Sequence, residues 1–179
     1  MPEEFLNPTS IIRDHLTIKP GMAAVDFGCG SGGWTIPLAE MMEHGKVYAV
    51  DILEEPLSAL RSKIASKRIF NVEVMRMDVE KPILRLLNNF IDVVLISNTL
   101  FQTREKKRVL EEGKRILKPG GKILVIEWEK DAPGSPKEAV SAEEIRNICD
   151  GIGLTMVESF KAGHAHYGLV FTKNQPSAR

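Results

Sequence analysis

A glycine-rich segment follows directly after a short apolar run, and this arrangement is typical of a loop that binds a cofactor. Gly28, Gly30 and Gly33 fit the spacing G-x-G-x-x-G of dinucleotide-binding loops. Asp26, Gly28, Gly30 and Gly32 fit a second spacing, acidic-x-G-x-G-x-G. The spacing alone does not separate the two patterns. The carboxylate of Asp26, however, would repel a pyrophosphate and suits a positively charged ligand group.

Further polar residues follow other apolar runs, where the carboxyl ends of parallel strands would lie. In an open α/β sheet these ends form the ligand crevice. Asp51 comes 23 residues after Gly28, near the spacing of about 20 residues at which an acidic side chain meets ribose hydroxyls. Asp51 could instead cap a helix, and Asp78 could be an ordinary loop carboxylate. The pair Ser97 and Asn98 follows the fourth run.

The elements that would position these residues alternate between strand-like and helical patterns, which predicts a parallel sheet with helices on both faces. The predicted strands are 22–27, 46–51, 72–77, 91–96, 122–127, 154–160 and 166–172. The predicted helices are 10–16, 32–42, 54–67, 82–87, 103–117 and 141–150. The link between the last two strands is too short for a parallel crossover, so they must form an antiparallel pair.

Composition limits the class of protein. The 179 residues suit one domain, with 43% hydrophobic and 27% charged residues. The 24 basic and 24 acidic residues balance, so nothing indicates a nucleic-acid or anionic-membrane partner. Cys29 and Cys149 give no disulfide framework, and no apolar run is long enough for a membrane span. We therefore expect a cytoplasmic protein.

Four features in this order resemble the class I S-adenosylmethionine-dependent methyltransferases across nearly the whole chain. They are the glycine loop preceded by Asp26, the strand-terminal Asp51 and Asp78, and the turn Lys118-Pro119-Gly120-Gly121 before the fifth strand. Within that family the chain is similar to the small-molecule group that includes ubiquinone and menaquinone biosynthesis methyltransferases. The resemblance implies a Rossmann-like three-layer α/β sandwich, whose mostly parallel seven-stranded sheet has an antiparallel last strand.

The resemblance also implies S-adenosyl-L-methionine as the cofactor and a set of residues that bind it. Asp26 would hold the ammonium group directly or through water, Asp51 the ribose and Asp78 the adenine amino group, while Ile52 would pack on the adenine. Cys29 is interpreted chiefly as a small packed side chain of the loop. The full set of candidates for this site is Asp26, Gly28, Cys29, Gly30, Gly32, Asp51, Ile52, Asp78, Val79, Ser97 and Asn98.

The substrate side is less defined by the sequence. Candidates for substrate binding are Phe101, Gln102, Trp128 and Tyr167, and candidates for a catalytic base are Asn98, Glu127 and His164. A base is optional, because in-line methyl transfer depends chiefly on holding the nucleophile and the methyl group in alignment. We expect no metal site, since the two histidines near 165 have no third ligand in view.

The predicted function is methyl transfer to a small, aromatic or apolar metabolite. A non-catalytic cofactor-binding partner subunit and a nicotinamide-dependent oxidoreductase stay open as alternatives. We predict one domain over residues 1–173, followed by a disordered tail over 174–179. Residues 1–20, with Phe5 to Thr9 leading into the first helix, form either a lid or a helix that packs on the edge of the sheet. Few residues of the chain are available to cover a substrate, so the pocket is either open or completed by a second subunit, and a homodimer stays possible.

Overall fold

The computed structural model describes residues 6–175. Its helices and strands alternate along most of the chain. The helices are α1 (Pro8–His15), α2 (Thr35–Met41), α3 (Glu54–Lys67), α4 (Lys106–Ile116) and α5 (Ala142–Gly151), with a short 3-10 helix at Leu100–Gln102. The strands are β1 (Ala23–Phe27), β2 (Lys46–Asp51), β3 (Val72–Arg76), β4 (Ile91–Ser97), β5 (Leu117–Trp128), β6 (Leu154–Ala162) and β7 (His166–Lys173).

All seven strands form one sheet in the order β3-β2-β1-β4-β5-β7-β6. Strands β1 to β5 pair in parallel, and β7 runs antiparallel to both of its neighbours, β5 and β6. The predicted mostly parallel seven-stranded sheet with an antiparallel last strand is therefore confirmed. From β1 the chain adds β2 and β3 on one side and then β4 and β5 on the other, so the order of the strands reverses between β1 and β4. In an open α/β sheet a crevice forms at such a switch point.

Two apolar clusters lie on opposite faces of the sheet. One face carries Phe27, Ile96 and Val125 and packs against α4 and α5. The other carries Leu95 and Ile126 and packs against α1 and α2. The central strand β4 is buried along nearly its whole length, because apolar helices cover both of its faces, as in parallel sheets generally.

Side-chain capping marks the start of two helices, α1 and α5. Ser141 Oγ accepts the backbone N–H of Glu144 at 3.1 Å and begins α5, as the predicted capping box requires. The predicted helix 103–117 begins later than expected, at Lys106. The carboxylate of Glu80 accepts the backbone N–H groups of Arg104 and Glu105 instead, and so holds these residues outside the helix.

The helix predicted over 82–87 is wrong. This segment is an irregular turn whose Ile83 and Leu86 are buried three residues apart, a spacing that imitates a helix face. Glu112 Oε1 accepts the N–H of Ile83 at 2.7 Å, and Arg115 donates to the carbonyl groups of Ile83 and Leu86. Side chains of α4 therefore satisfy the backbone groups that a helix would have paired internally.

Helix α1, in the segment predicted to be a lid, packs against the sheet face that also carries α2. Ile12 is fully buried, and Ile11 and Leu16 join the same apolar cluster. His15 stacks on the Phe160 ring at 3.4 Å and connects the end of α1 to β6. Residues 1–5 and 176–179 lie outside the described part of the chain. The prediction that Phe5 belongs to a lid therefore concerns a residue outside this range, as does most of the predicted disordered tail.

Candidate functional site

A cleft of about 390 Å³ opens at the carboxyl ends of β1 to β4. Its volume lies within the range of roughly 300–1,000 Å³ that is usual for small-molecule sites. The cleft is lined by backbone from the glycine loop and by residues that follow β2, β3 and β4: Gly28, Gly30, Asp51, Ile52, Leu53, Pro56, Met77, Asp78, Val79, Glu80, Thr99, Gln102 and Thr103.

The glycine loop is fastened to the end of β2. The N–H groups of Gly28 and Cys29 both donate to the carbonyl oxygen of Val50, at 2.8 and 3.0 Å. The N–H of Gly30 donates to Asp51 Oδ2 at 2.9 Å. The loop therefore has a fixed position relative to the carboxylate that ends β2.

The first two glycines of the pattern have different surroundings. Gly28 has φ +70°, and a Cβ atom there would lie 2.1 Å from Thr99 Oγ1, so a side chain has no room. Gly30 has φ +51°, and a Cβ atom there would meet no atom of the described residues within 4 Å. Because Gly30 also lines the cleft, the open space beside it is available to a ligand that contacts the backbone closely.

Asp51 combines the two roles considered for it. Its Oδ2 holds the glycine loop through Gly30, and its Oδ1 accepts the N–H of Leu53 at 2.9 Å as the chain enters α3. Each carboxylate oxygen accepts one of these hydrogen bonds, and a carboxylate offers about four acceptor positions. Asp51 therefore both fixes the local backbone and retains acceptor capacity on the wall of the cleft.

Asp78 is the second carboxylate of the cleft. The pKa of Asp78 is lowered, chiefly because the N–H of Glu80 donates to Oδ1 at 3.0 Å and also because Lys81 lies 3.2 Å from Oδ2. Asp78 is therefore ionised at neutral pH and can accept hydrogen bonds. The neighbouring Val79 is largely buried and gives an apolar side to the same wall.

Asp26 does not line the cleft. It is 1% exposed beneath the glycine loop, where Thr35 Oγ1 donates to Asp26 Oδ2 at 2.6 Å. Burial raises the pKa of Asp26 to about 7. The resemblance implies that Asp26 holds a ligand ammonium directly or through water, and this role stays a prediction. In the structure the carboxylate of Asp26 fixes the start of α2 through Thr35.

Cys29 and Gly32 face away from the ligand space. Cys29 is buried with Leu57 and Leu60, and burial raises the pKa of its thiol far above the ordinary value. A Cβ atom on Gly32 would lie 2.5 Å from Leu60 Cδ1. These two residues allow α3 to pack closely under the loop, which agrees with the interpretation of Cys29 as a small packed side chain.

The segment after β4 forms the opposite wall. Thr99 lines the cleft, and its Oγ1 lies 3.1 Å from the carbonyl oxygen of Phe27. Ser97 and Asn98 are not among the lining residues, although Ser97 Oγ and Asn98 Oδ1 are buried atoms with no hydrogen-bond partner in the described part of the chain. Thr99 was not among the residues predicted to bind the cofactor. Its position directly after Ser97-Asn98 is the sequence feature that could have indicated it.

Glu127 lies at the carboxyl end of β5 and is fully buried. Its Oε1 accepts the N–H groups of Thr99 at 2.8 Å and Leu100 at 2.6 Å, whereas its Oε2 has no hydrogen-bond partner among residues 6–175. Burial raises the pKa of Glu127 to about 7. This candidate base is thus hydrogen-bonded to the wall of the cleft.

The remaining substrate-side candidates do not all meet at the cleft. Gln102 lines it, and its Nε2 donates to the carbonyl oxygen of Asn98 at 2.8 Å. Tyr167 is buried, and its hydroxyl donates to the carbonyl oxygen of Val140 at 2.8 Å. Trp128 lies with its ring 4.0 Å from that of His166. Phe101 is partly buried in the 3-10 helix, and His164 is exposed in the β6–β7 turn.

Residues 6–175 contain no group of three or more histidine, cysteine, aspartate or glutamate side chains placed to hold a metal ion. Nor does any helix in the same range have the length and apolar character needed to cross a membrane.

Comparisons with known proteins agree with the observed fold. A family model described as a methyltransferase domain matches residues 24–121. The demethylmenaquinone methyltransferase of Bacillus cereus (strain ATCC 10987 / NRS 248) is 35% identical over 113 residues, which are 63% of this chain and 47% of that protein. The chain thus spans about half the length of this curated relative.

Two solved structures share the fold. An S-adenosylmethionine-dependent methyltransferase from Aquifex aeolicus superposes with a TM-score of 0.83 at 29% identity, over 93% of this chain and 89% of that one. The [4+2]-cyclase SpnF superposes with a TM-score of 0.82 at 14% identity, over 94% and 81%. A similarity at 14% identity shows the fold alone, and the fold alone does not fix the reaction.

Proposed function

Because this chain belongs to the methyltransferase-domain family, we propose that it binds S-adenosylmethionine and transfers its methyl group to a small, aromatic or apolar metabolite. The observation that carries the proposal is the cleft itself. It joins an open glycine, Gly30, to two carboxylates, Asp51 and Asp78, that follow adjacent strands.

The residues of the cleft fit the parts of this cofactor. Gly30 leaves room for close approach of the amino-acid part of the ligand, since a Cβ atom there would occupy open space. Asp51 retains acceptor positions for ribose hydroxyls, and Asp78 is ionised and can accept from the adenine amino group. Ile52, which is 55% exposed at the cleft, offers an apolar surface for the adenine ring.

The bound cofactor supplies an electrophilic methyl group on a sulfonium. The protein's part is to bind, to orient and to exclude water, because an in-line displacement gains much of its rate from alignment at about 3–3.5 Å. Backbone of the glycine loop and Thr99 face each other across the cleft and can fix the position of the cofactor. No proton transfer is needed when the acceptor is already ionised.

An aromatic or apolar acceptor is supported by two observations. Phe101 lies in the 3-10 helix that follows β4, and Trp128 is the last residue of β5, the parallel neighbour of β4. A relative that is named for demethylmenaquinone is compatible with an acceptor of this kind.

Titration calorimetry with S-adenosylhomocysteine and with NADH tests the cofactor part of the proposal. We expect saturable binding of S-adenosylhomocysteine with a Kd in the micromolar range, equivalent to about −8 kcal/mol, and no binding of NADH. Tight NADH binding without any S-adenosylhomocysteine signal would contradict the proposal and favour a nicotinamide enzyme.

The transfer itself is tested with radiolabelled cofactor and a panel of phenols, quinols, amines and carboxylic acids. Label should appear in an aromatic or apolar member of the panel. Binding of S-adenosylmethionine with no transfer to any member would favour the non-catalytic partner subunit instead.

A further inference from the structure

Residues 98–103, here called the β4 wall, form one side of the cleft. Thr99, Gln102 and Thr103 contribute to its lining. The segment contains a single 3-10 turn, Leu100–Gln102, and Asn98 has φ +49°. The internal hydrogen bonds of this segment only close single turns, such as those from the N–H of Gln102 to the carbonyl oxygen of Thr99 and from the N–H of Thr103 to that of Leu100. Its position against the sheet therefore depends on groups outside it.

Glu127 supplies two of the hydrogen bonds that tie the β4 wall to β5, beside the one from the N–H of Asn98 to the carbonyl oxygen of Ile126 at 2.9 Å. One oxygen, Oε1, accepts two consecutive N–H groups, those of Thr99 and Leu100, at 2.8 and 2.6 Å. The side chain is fully buried, and hydrogen bonds to an ionised acceptor are stronger than those between neutral groups.

Thr99 carries this restraint to the glycine loop. Its Oγ1 lies 3.1 Å from the carbonyl oxygen of Phe27 and would be 2.1 Å from a Cβ atom on Gly28. The β4 wall and the glycine loop are therefore in direct contact across the inner end of the cleft. A shift of Thr99 would change the width of the cleft at Gly28.

We infer that Glu127 is a positioning residue for the cofactor: through Thr99 and Leu100 it holds the β4 wall against the glycine loop, and its ionised form gives the tighter-binding cleft. This inference rests on the proposed function. It gives Glu127 a role in cofactor affinity in place of the catalytic-base role considered from the sequence.

The surroundings of Glu127 set the pH range in which this role changes. Burial raises the pKa of Glu127 to about 7. The N–H donors of the β4 wall and the charge of Lys106, at the start of α4, act in the opposite direction and lower this pKa. Tyr167 faces Glu127 from β7. Protonation weakens the acceptor, so cofactor affinity should fall as pH drops through about 7.

The experiment measures the Kd of S-adenosylhomocysteine from pH 5.5 to 8.5 by calorimetry. For the wild type we expect Kd to rise roughly tenfold between pH 8 and pH 6, the size of effect that the loss of a charged acceptor can give. Glu127→Gln keeps an oxygen acceptor but carries no charge, so its Kd should match the low-pH value and stay constant with pH. Glu143→Gln, an exposed glutamate in the first turn of α5, is the matched control and should retain the wild-type profile.

Asp26 must be distinguished from Glu127, because its pKa is also raised to about 7 and it lies beneath the glycine loop. Asp26→Asn should keep the pH dependence of the Kd. If Asp26→Asn abolished that dependence and Glu127→Gln preserved it, the inference would be overturned.

A measurement on the wild type covers the case in which Glu127→Gln does not fold. The amide resonances of Thr99 and Leu100 should shift with pH as their acceptor titrates, and bound S-adenosylhomocysteine should lower the midpoint, since ligand that prefers the ionised form stabilises it. An unchanged midpoint, or a Kd of the wild type that is independent of pH, overturns this inference and leaves the proposed function standing. Absence of binding at every pH overturns both.

Discussion

At the scale of single residues, the site depends on where a side chain is absent. Gly28 and Gly30 both have positive φ, yet only Gly28 is closed off by a neighbour, Thr99. The open face of Gly30 is the surface that the proposed cofactor would cover. The two carboxylates near the loop also differ in their access to a ligand: Asp51 lines the cleft, whereas Asp26 is buried beneath the loop.

Gly30→Ala tests whether that open face is ligand space. The new methyl group meets no protein atom, so we expect only the strain of a left-handed alanine, about 1–2 kcal/mol of unfolding free energy. The Kd of S-adenosylhomocysteine, measured by calorimetry, should rise at least roughly tenfold, because an unrelieved steric overlap of a single methyl group costs more than about 1.4 kcal/mol.

Gly134→Ala is the matched control for this change. Gly134 also has positive φ, and a Cβ atom there would also meet nothing, but it does not line the cleft. It should show a similar loss of stability with no change in Kd. Equal affinity of the Gly30 and Gly134 variants would show that the ligand does not pass over Gly30.

At the scale of elements, the closing pair β6 and β7 shows how an edge strand is attached. Phe160 of β6 covers Gly168 of β7, where a Cβ atom would lie 2.2 to 2.6 Å from the ring atoms. The other face of Phe160 stacks on His15, and His15 Nδ1 lies 2.8 Å from Glu158 Oε1. One aromatic ring therefore connects β7, β6 and α1.

Gly168→Ala should disturb this connection. The added methyl group must displace the Phe160 ring, and overpacking of this kind costs typically about 1–3 kcal/mol of unfolding free energy. Urea denaturation measures the loss. Gly151→Ala, at the end of α5 where a Cβ atom meets nothing and φ is ordinary, should be neutral or slightly stabilising. A neutral Gly168→Ala would mean that the ring moves aside without loss of packing.

At the scale of the whole molecule, two buried carboxyl groups with raised pKa values link stability to pH. Burial raises the pKa of both Asp26 and Glu127 to about 7. A carboxyl group of this kind holds its proton in the folded state at pH values where the unfolded chain has lost it. Its contribution to stability is full below the ordinary pKa near 4 and is lost as pH rises to about 7. His166, whose pKa is lowered by burial, acts in the opposite direction.

Asp26→Asn isolates the contribution of one of these groups. The variant should be more stable than the wild type at pH 8, by at most about 4 kcal/mol for a shift of this size. The difference should shrink towards pH 4, because Asp26 becomes increasingly protonated in the unfolded chain as well as in the folded state. Urea denaturation of both proteins at pH 4.5, 6 and 8 measures it, and a difference that is constant across this range would contradict the raised pKa.

The sequence predicted most of the fold because its signals are local. The apolar patterns, which act over a few residues, predicted β2 and α3 with their observed bounds. The capping box at Ser141 likewise predicted the start of α5. The helix predicted over 82–87 failed because Glu112 and Arg115, which are distant in sequence, take its backbone hydrogen bonds.

The same distinction between local and long-range determinants applies to the candidate site. The sequence by itself determined the glycine loop and the strand-terminal residues Asp51 and Asp78, because parallel strands bring their carboxyl ends to one edge. Only the tertiary structure decided that Asp26 is buried, and that Thr99 and Glu127 together hold the wall of the cleft. Burial and hydrogen-bond partners depend on contacts between β1, β4 and β5, whose packing no local pattern of residues specifies.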